Sequence, residues 1–387
     1  MISNEKQLEN KIVAGKPINV PEDRPVEALF RFIKQSTNLI RLLEPKIDNR
    51  QTEKQRFLRN EDYKPELEFS ELEYNQEQFL KLLNQAEQGV KKIDSSTMEE
   101  YNAETVTAEE FQKFLKQSIE EIKLRLELAE NIHNEETWRK CSEKIWPMID
   151  KKQYKKSREK IQELEPGEET KKLDAEDVKK LFQQEIKSLG ISYDVETRKV
   201  SGCQNLPGDR KLIVAEGENG ERRYSREEAQ TLATHETFHV ARAVNGYKAS
   251  EKTGLPPFLG VFTPFYDSTE EGGAVFRELE TGKISDNKRF DYHLRLIAAY
   301  KIHGTENFRE EFQRVVDELT DLGASRERAF DLLVRNRQAL RHHIYWNGVK
   351  QWKQAENKDK LLLGKLNSEW SEKFWEEAEA GGMIQKP

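Results

Sequence analysis

Residues 234–246 read THETFHVARAVNG, and whether this is an ordinary polar helix or a metal-binding one decides how the surrounding chain is understood. Upstream, Ser225 and Glu228 stand in capping-box spacing. A helical pattern then runs to Asn245 and Gly246, a pair that commonly stops a helix. The stretch therefore lies in mid-helix. Four residues on an α-helix turn through about 400°, so His235 and His239 project from one face, one turn apart. That is close enough to hold a single Zn2+ through two imidazole nitrogens. Glu236, one step round, can lie beside such an ion without ligating it and accept a proton from a water. A histidine pair at the surface or core edge is the plainer alternative.

A catalytic zinc needs a third protein ligand, and in the gluzincin arrangement it is a Glu from a following helix. Residues 267–280, DSTEEGGAVFRELE, supply such a helix. Glu271 is the expected ligand, with Glu270 as its substitute, because Gly272 lacks a side chain and allows close backbone approach at a helix crossing. Ser268 and Glu271 are also spaced as a capping box, in which case Glu271 would close the helix end.

Before the histidine helix, ISYDVETRKV (residues 191–200) and KLIVAEG (residues 211–217) are β-branched and partly alternating, with SGCQNLPGD between them. They read as two strands of a small sheet. The second is expected to run as an edge strand beside the metal helix, where it could pair with an extended substrate backbone. Asp174 caps a short helix burying Val178, Leu181, Phe182 and Ile186 and ending at Gly190.

Farther out the pattern is helical on both sides. One helix is expected from Pro25 to about Ile47, stopping near Pro45. Another begins at Thr107, whose TAEE is a capping box, and buries Phe111, Phe114, Leu115, Ile119, Ile122, Leu126 and Ala129. Downstream, past a Pro-rich loop, helices are expected at about 270–281, 288–303, 306–321 and 325–345, followed by a charged tail. Pro166 and Gly167 in a polar stretch mark a candidate boundary. The expected organisation is an N-terminal charged helical region at 1–165, a catalytic domain at 166–355 and a helical tail at 356–387. The fold class is mainly α with a small β-sheet, α+β.

Composition bounds the partners. Of 387 residues, 35% are charged and 35% hydrophobic, and the net charge is -7. The signs are interspersed, which gives no footprint for nucleic acid or a membrane surface. Two cysteines, Cys141 and Cys203, stand far apart in no metal-type spacing. The N-terminus has no apolar h-region and no uncharged run reaches transmembrane length, so a soluble cytoplasmic protein is expected. Nothing in the sequence fixes an oligomeric state. His293, His303 and His343 read as surface or hydrogen-bonded histidines, and the six Trp as packing.

THETFHVARAVNG followed by TEEGGA resembles the tubulin-tyrosine-carboxypeptidase-like zinc metallopeptidases, whose bacterial members are known as flavohaemoglobin expression-modulating QEGLA-motif proteins. Glu270 to Ala274 stand where QEGLA would stand. Residues 39–69, LIRLLEPKIDNRQTEKQRFLRNEDYKPELEF, resemble the N-terminal helical segment of that family, and the likeness extends loosely from about residue 25 to 350. The resemblance implies a gluzincin-like core with an N-terminal helical region. It places Zn2+ on His235, His239 and Glu271, makes Glu236 the base, and implies a peptide or protein substrate.

RHHIYWNG (residues 341–348) stands where the family carries a KD..Y..G segment, which makes Tyr345 a transition-state donor and Arg341 a carboxylate partner. Arg242, one turn after His239, is a second candidate for a substrate carboxylate or for orienting Glu271. An ordinary helix salt bridge is the alternative. Two departures stand out. The family commonly spaces its histidines HExxxH, and His342 replaces an acidic residue, so tubulin as substrate is not carried over. The expected function is zinc-dependent peptide hydrolysis near a C-terminus. The alternative is a non-catalytic helical interaction or regulatory protein that retains the fold.

Overall fold

Short polar side chains decide where many of the helices begin. Thr107, Asn134, Asp150, Asp174, Ser285, Asn307 and Ser325 each accept a hydrogen bond from a backbone N–H in the first turn of the helix that follows, satisfying donors that the helix itself leaves free. The computed structural model describes Phe32 and residues 45–379, apart from 71, 73, 101–105, 168–169, 254–257 and 262. The helix expected from Pro25 falls outside the described residues except for Phe32, which is helical, and Pro45 to Ile47, which are not.

In chain order the elements are α1 Arg50–Arg59, α2 Gln76–Lys91, α3 Ser95–Glu100, α4 Ala108–Glu130, α5 Glu135–Ile145, α6 Lys151–Ile161 and α7 Ala175–Ser188. Strands β1 Asp194–Arg198, β2 Gln204–Leu206 and β3 Lys211–Ala215 follow. The chain continues with α8 Arg226–Thr253, α9 Phe258–Val261, α10 Asp267–Glu280, α11 Asp286–His303, α12 Phe308–Asp321, α13 Arg326–Gln338, α14 Ile344–Gln354, α15 Lys358–Leu361 and α16 Ser368–Glu379. The protein is mainly α with one small sheet. Among the described residues no helix is long and apolar enough to cross a membrane.

The sheet corrects one expectation. Its order is β1-β3-β2, with β1 parallel to β3 (Asp194 opposite Lys211) and β2 antiparallel to it (Leu206 opposite Lys211). The linker read as a loop thus holds a third strand, and KLIVAEG is the central strand rather than an edge. Both sides of its backbone are already bonded, which leaves β1 and β2 as the edge strands, and β2 is in contact with α8.

Two helix ends also differ. Asn245 and Gly246 do not stop α8, which continues to Thr253. A Cβ on Gly246 would lie 2.2 Å from the carbonyl oxygen of Leu259, and Asn245 donates to the carbonyl of Leu362. The pair serves a close crossing, not a cap. The single helix expected at 325–345 is two: Ala339 is extended, and the buried His343 faces the carbonyl of Pro147 through Nε2 at 3.1 Å. No Gly or Pro marks that break.

The cores draw on both sides of residue 166. Phe57, Leu124 and Trp138 bury with Ile297, Val316 and Phe330. Phe111 and Phe114 bury with Leu259, Leu366, Trp370 and Phe374, so the charged tail is seated rather than loose. All seven apolar residues assigned to the inner face of α4 are buried. Val178, Phe182, Leu212, Val214 and Val240 join α7, the sheet and α8.

Candidate metal centre

Helix α8 lies deep in the protein: Ala233, Phe238, Val240 and Ala241 are all buried, as befits a helix covered on several faces. The two histidines share that burial. Their ring centroids lie 4.8 Å apart, one turn from each other. This is the geometry the i, i+4 spacing predicts.

Glycines bring α10 against α8 and α14 against α10. A Cβ on Gly273 would meet the Phe238 ring at 2.4 Å, and one on Gly272 would lie 2.3 Å from the Cα of Gly348. No other residue permits such approach. Ser268 lies inside α10, and the residue before the helix, Tyr266, makes no side-chain cap. The capping alternative for Glu271 is therefore not taken. Instead Glu271 Oε2 lies 3.3 Å from His235 Nε2 and 3.7 Å from His239 Nε2. One ligand atom from each of His235, His239 and Glu271 lies within 4.8 Å of the others.

The far side of each imidazole is held by its own carboxylate. Glu278 Oε1 lies 2.7 Å from His235 Nδ1, and the Tyr292 hydroxyl donates to both Glu278 oxygens at 3.0 and 3.2 Å. Glu270 Oε1 lies 2.8 Å from His239 Nδ1. Arg242 donates to the other Glu270 oxygen at 2.5 Å, and the Lys365 ammonium lies 3.3 Å from Oε1. An ionised carboxylate can only accept, so each Nδ1 carries a proton, and each Nε2 faces Glu271, where a metal would take its lone pair in place of a second proton. Imidazoles oriented from behind by carboxylates, with a third carboxylate in front, are a donor set that suits zinc.

The electrostatics agree. Burial alone would lower the basicity of His235, but hydrogen bonds to Glu271 and Glu278 outweigh it and push the group up to about 10. Burial would likewise raise Glu271, yet the His235 hydrogen bond and the charges of both histidines hold it at about 2. The space between them favours positive charge.

Glu236 is half-buried on α8, and its charge is felt by Tyr193, Cys203 and Tyr345. Tyr345 lies in the first turn of α14, its ring 6.1 Å from His235 and 5.6 Å from Tyr292. Burial, and then the charge of Glu271, push its hydroxyl above the ordinary phenol value, so it stays a proton donor. Arg341 is half-buried in the turn before α14, and its charge acts on Asp267 and Tyr345.

Arg242 is not placed for a substrate. It is fully buried and divides its guanidinium between Glu270 and the carbonyl of Leu366. Glu270 stands behind His239, not among the front donors. Sequence reasoning passed over Glu278, Tyr292 and Lys365. Glu278 carried a signal, since it lies seven residues after Glu271 and so on the same face of α10. The other two come from distant chain and carried none.

A family model described as microtubule-associated tyrosine carboxypeptidase matches residues 55–337, well over half of the chain. No curated protein and no solved structure matches.

Proposed function

The chain belongs to the microtubule-associated tyrosine carboxypeptidase family, a family of carboxypeptidase-type peptidases, and on that premise we propose that it is a zinc-dependent peptidase acting at the C-terminus of a peptide or protein. The observation that supports this reading most is Glu271 Oε2 set before both Nε2 atoms while separate carboxylates hold both Nδ1 atoms. A closed structural site has no use for Glu236 beside the first histidine. Held by His235, His239 and Glu271, zinc would supply a Lewis acid for the scissile carbonyl and lower the pKa of a water.

The remaining steps fall to side chains. Glu236 takes the proton of the attacking water and passes it to the leaving amine. The Tyr345 hydroxyl donates to the oxyanion that develops on the carbonyl oxygen. Arg341 grips the terminal carboxylate with two parallel hydrogen bonds, selecting a chain end over an internal bond. The outer edge of β2 offers the extended substrate backbone what β3 cannot, since β3 is paired on both sides.

The test is mass spectrometry of peptides ending in tyrosine and in other residues, as free acids and as amides, with wild type and Glu236→Gln. Free acids shortened by one residue are expected with wild type alone, at a rate at least ~100-fold above the variant. Cuts at internal bonds of the amides would refute the carboxypeptidase assignment. No product from any peptide would favour the non-catalytic alternative.

A further inference from the structure

The family match ends at residue 337, but the chain returns to the metal helix well beyond it. Asn245 donates to the carbonyl of Leu362 at 3.0 Å, and Arg242 to that of Leu366 at 2.8 Å. Between these two points the Lys365 amide donates to the carbonyl of Leu259 at 2.6 Å, and the Thr263 hydroxyl donates to the carbonyl of Lys365. Gly364 has φ +156°, and a Cβ there would lie 2.5 Å from the Leu259 oxygen and 3.0 Å from the Cα of Gly246. The segment thus passes between α8 and α9 at a point with no room for a side chain. Its far end is fastened to α4: Trp370 and Phe374 pack on Phe114 at 5.1 and 5.3 Å between ring centroids, and Trp370 Nε1 donates to Gln117 at 2.7 Å.

We propose that residues 361–366 are a positioning strap of the metal centre, holding Glu270 and, through it, the His239 imidazole. The Lys365 ammonium reaches the same Glu270 oxygen that receives His239 Nδ1. The Leu366 carbonyl takes one arm of Arg242 while the other arm binds Glu270. Without that carbonyl a fully buried guanidinium is left with an unmet donor, which is costly. It must re-aim, and it carries Glu270 with it. The His239 ring then loses the acceptor that fixes its tautomer and orientation, a change of the kind that weakens metal affinity by ~10–100-fold.

The proposal rests on the zinc reading above and predicts two linked effects. The first is read from the zinc affinity of the full chain, by competition with a chromophoric chelator, for wild type, Gly364→Ala and Lys373→Ala. Gly364→Ala, at unchanged helical circular dichroism, binds ~10–100-fold more weakly. Lys373→Ala removes a solvent-exposed pair with Glu110 farther along the same segment and leaves affinity unchanged. The second is reciprocity: a strap that favours zinc is itself favoured by zinc, so zinc slows hydrogen exchange of the Lys365 amide in wild type. That measurement decides alone should Gly364→Ala not fold. A Gly364→Ala affinity equal to wild type, or Lys365 exchange indifferent to zinc, overturns the strap while leaving the zinc site standing. A wild type that binds no zinc overturns both.

Discussion

The two histidines occupy one face of one helix, yet they are held in opposite electrical fashion. Behind His235, Glu278 is bonded to the imidazole and to a neutral phenol, Tyr292. Behind His239, Glu270 is bonded to the imidazole and answered by two cations, Arg242 and Lys365. Among the described residues, the hydrogen bonds of the first arrangement come from α10 and α11. The second needs Lys365 and Leu366 from far along the chain. One helix can thus present two imidazoles whose supports differ in cost, in origin and in what breaks them.

The largest expected effect comes from the charged side. Glu270→Ala leaves Arg242, fully buried, and Lys365, nearly so, without their carboxylate. Breaking a buried pair in this way costs about 3–5 kcal/mol, read as a lowered urea midpoint together with loss of zinc. On the neutral side Glu278→Ala strands an imidazole N–H and a phenol O–H, for which about 1–3 kcal/mol is expected, with zinc weakened ~10–100-fold. Equal losses for the two variants would break the comparison.

A smaller or similar effect is expected where the two helices cross. A Cβ on Gly348 would lie 1.9 Å from the carbonyl oxygen of Ser268, so Gly348→Ala must push α14 from α10 and move Tyr345 away from His235. Overpacking of this kind costs about 1–3 kcal/mol, and kcat should fall more than zinc occupancy. Wild-type activity in a folded Gly348→Ala would remove Tyr345 from the mechanism. The smallest effect is that of Tyr292→Phe. It deletes one donor to Glu278 and is expected to cost about 1 kcal/mol, measured by urea denaturation, because His235 still binds that carboxylate.

These supports also show which parts of the molecule the sequence discloses. The histidine spacing, the turn of α10 that presents Glu271 and the small residue at Gly272 are local signals, and each was legible. So was the capping box at Thr107, where side chain and backbone alternate within a few residues. Asn245 and Gly246 misled because the same residues that stop helices also permit close crossings, and only the partner, Leu259, separates the two uses. The strand β2 is three residues long and is defined by β3, not by its own pattern. The break after Gln338 follows from packing of Leu340 and His343, which no periodicity records. Tyr292, Lys365 and the carbonyl of Leu366 reach the centre only through tertiary structure.

Elemental analysis of purified wild type, His239→Ala and Glu236→Gln tests most directly the proposed catalytic zinc on His235, His239 and Glu271 with Glu236 beside it. About one zinc per chain is predicted for wild type and for Glu236→Gln, by the three-ligand logic of catalytic sites, and a large loss for His239→Ala. Full zinc occupancy in His239→Ala, or loss of zinc in Glu236→Gln, would contradict the account.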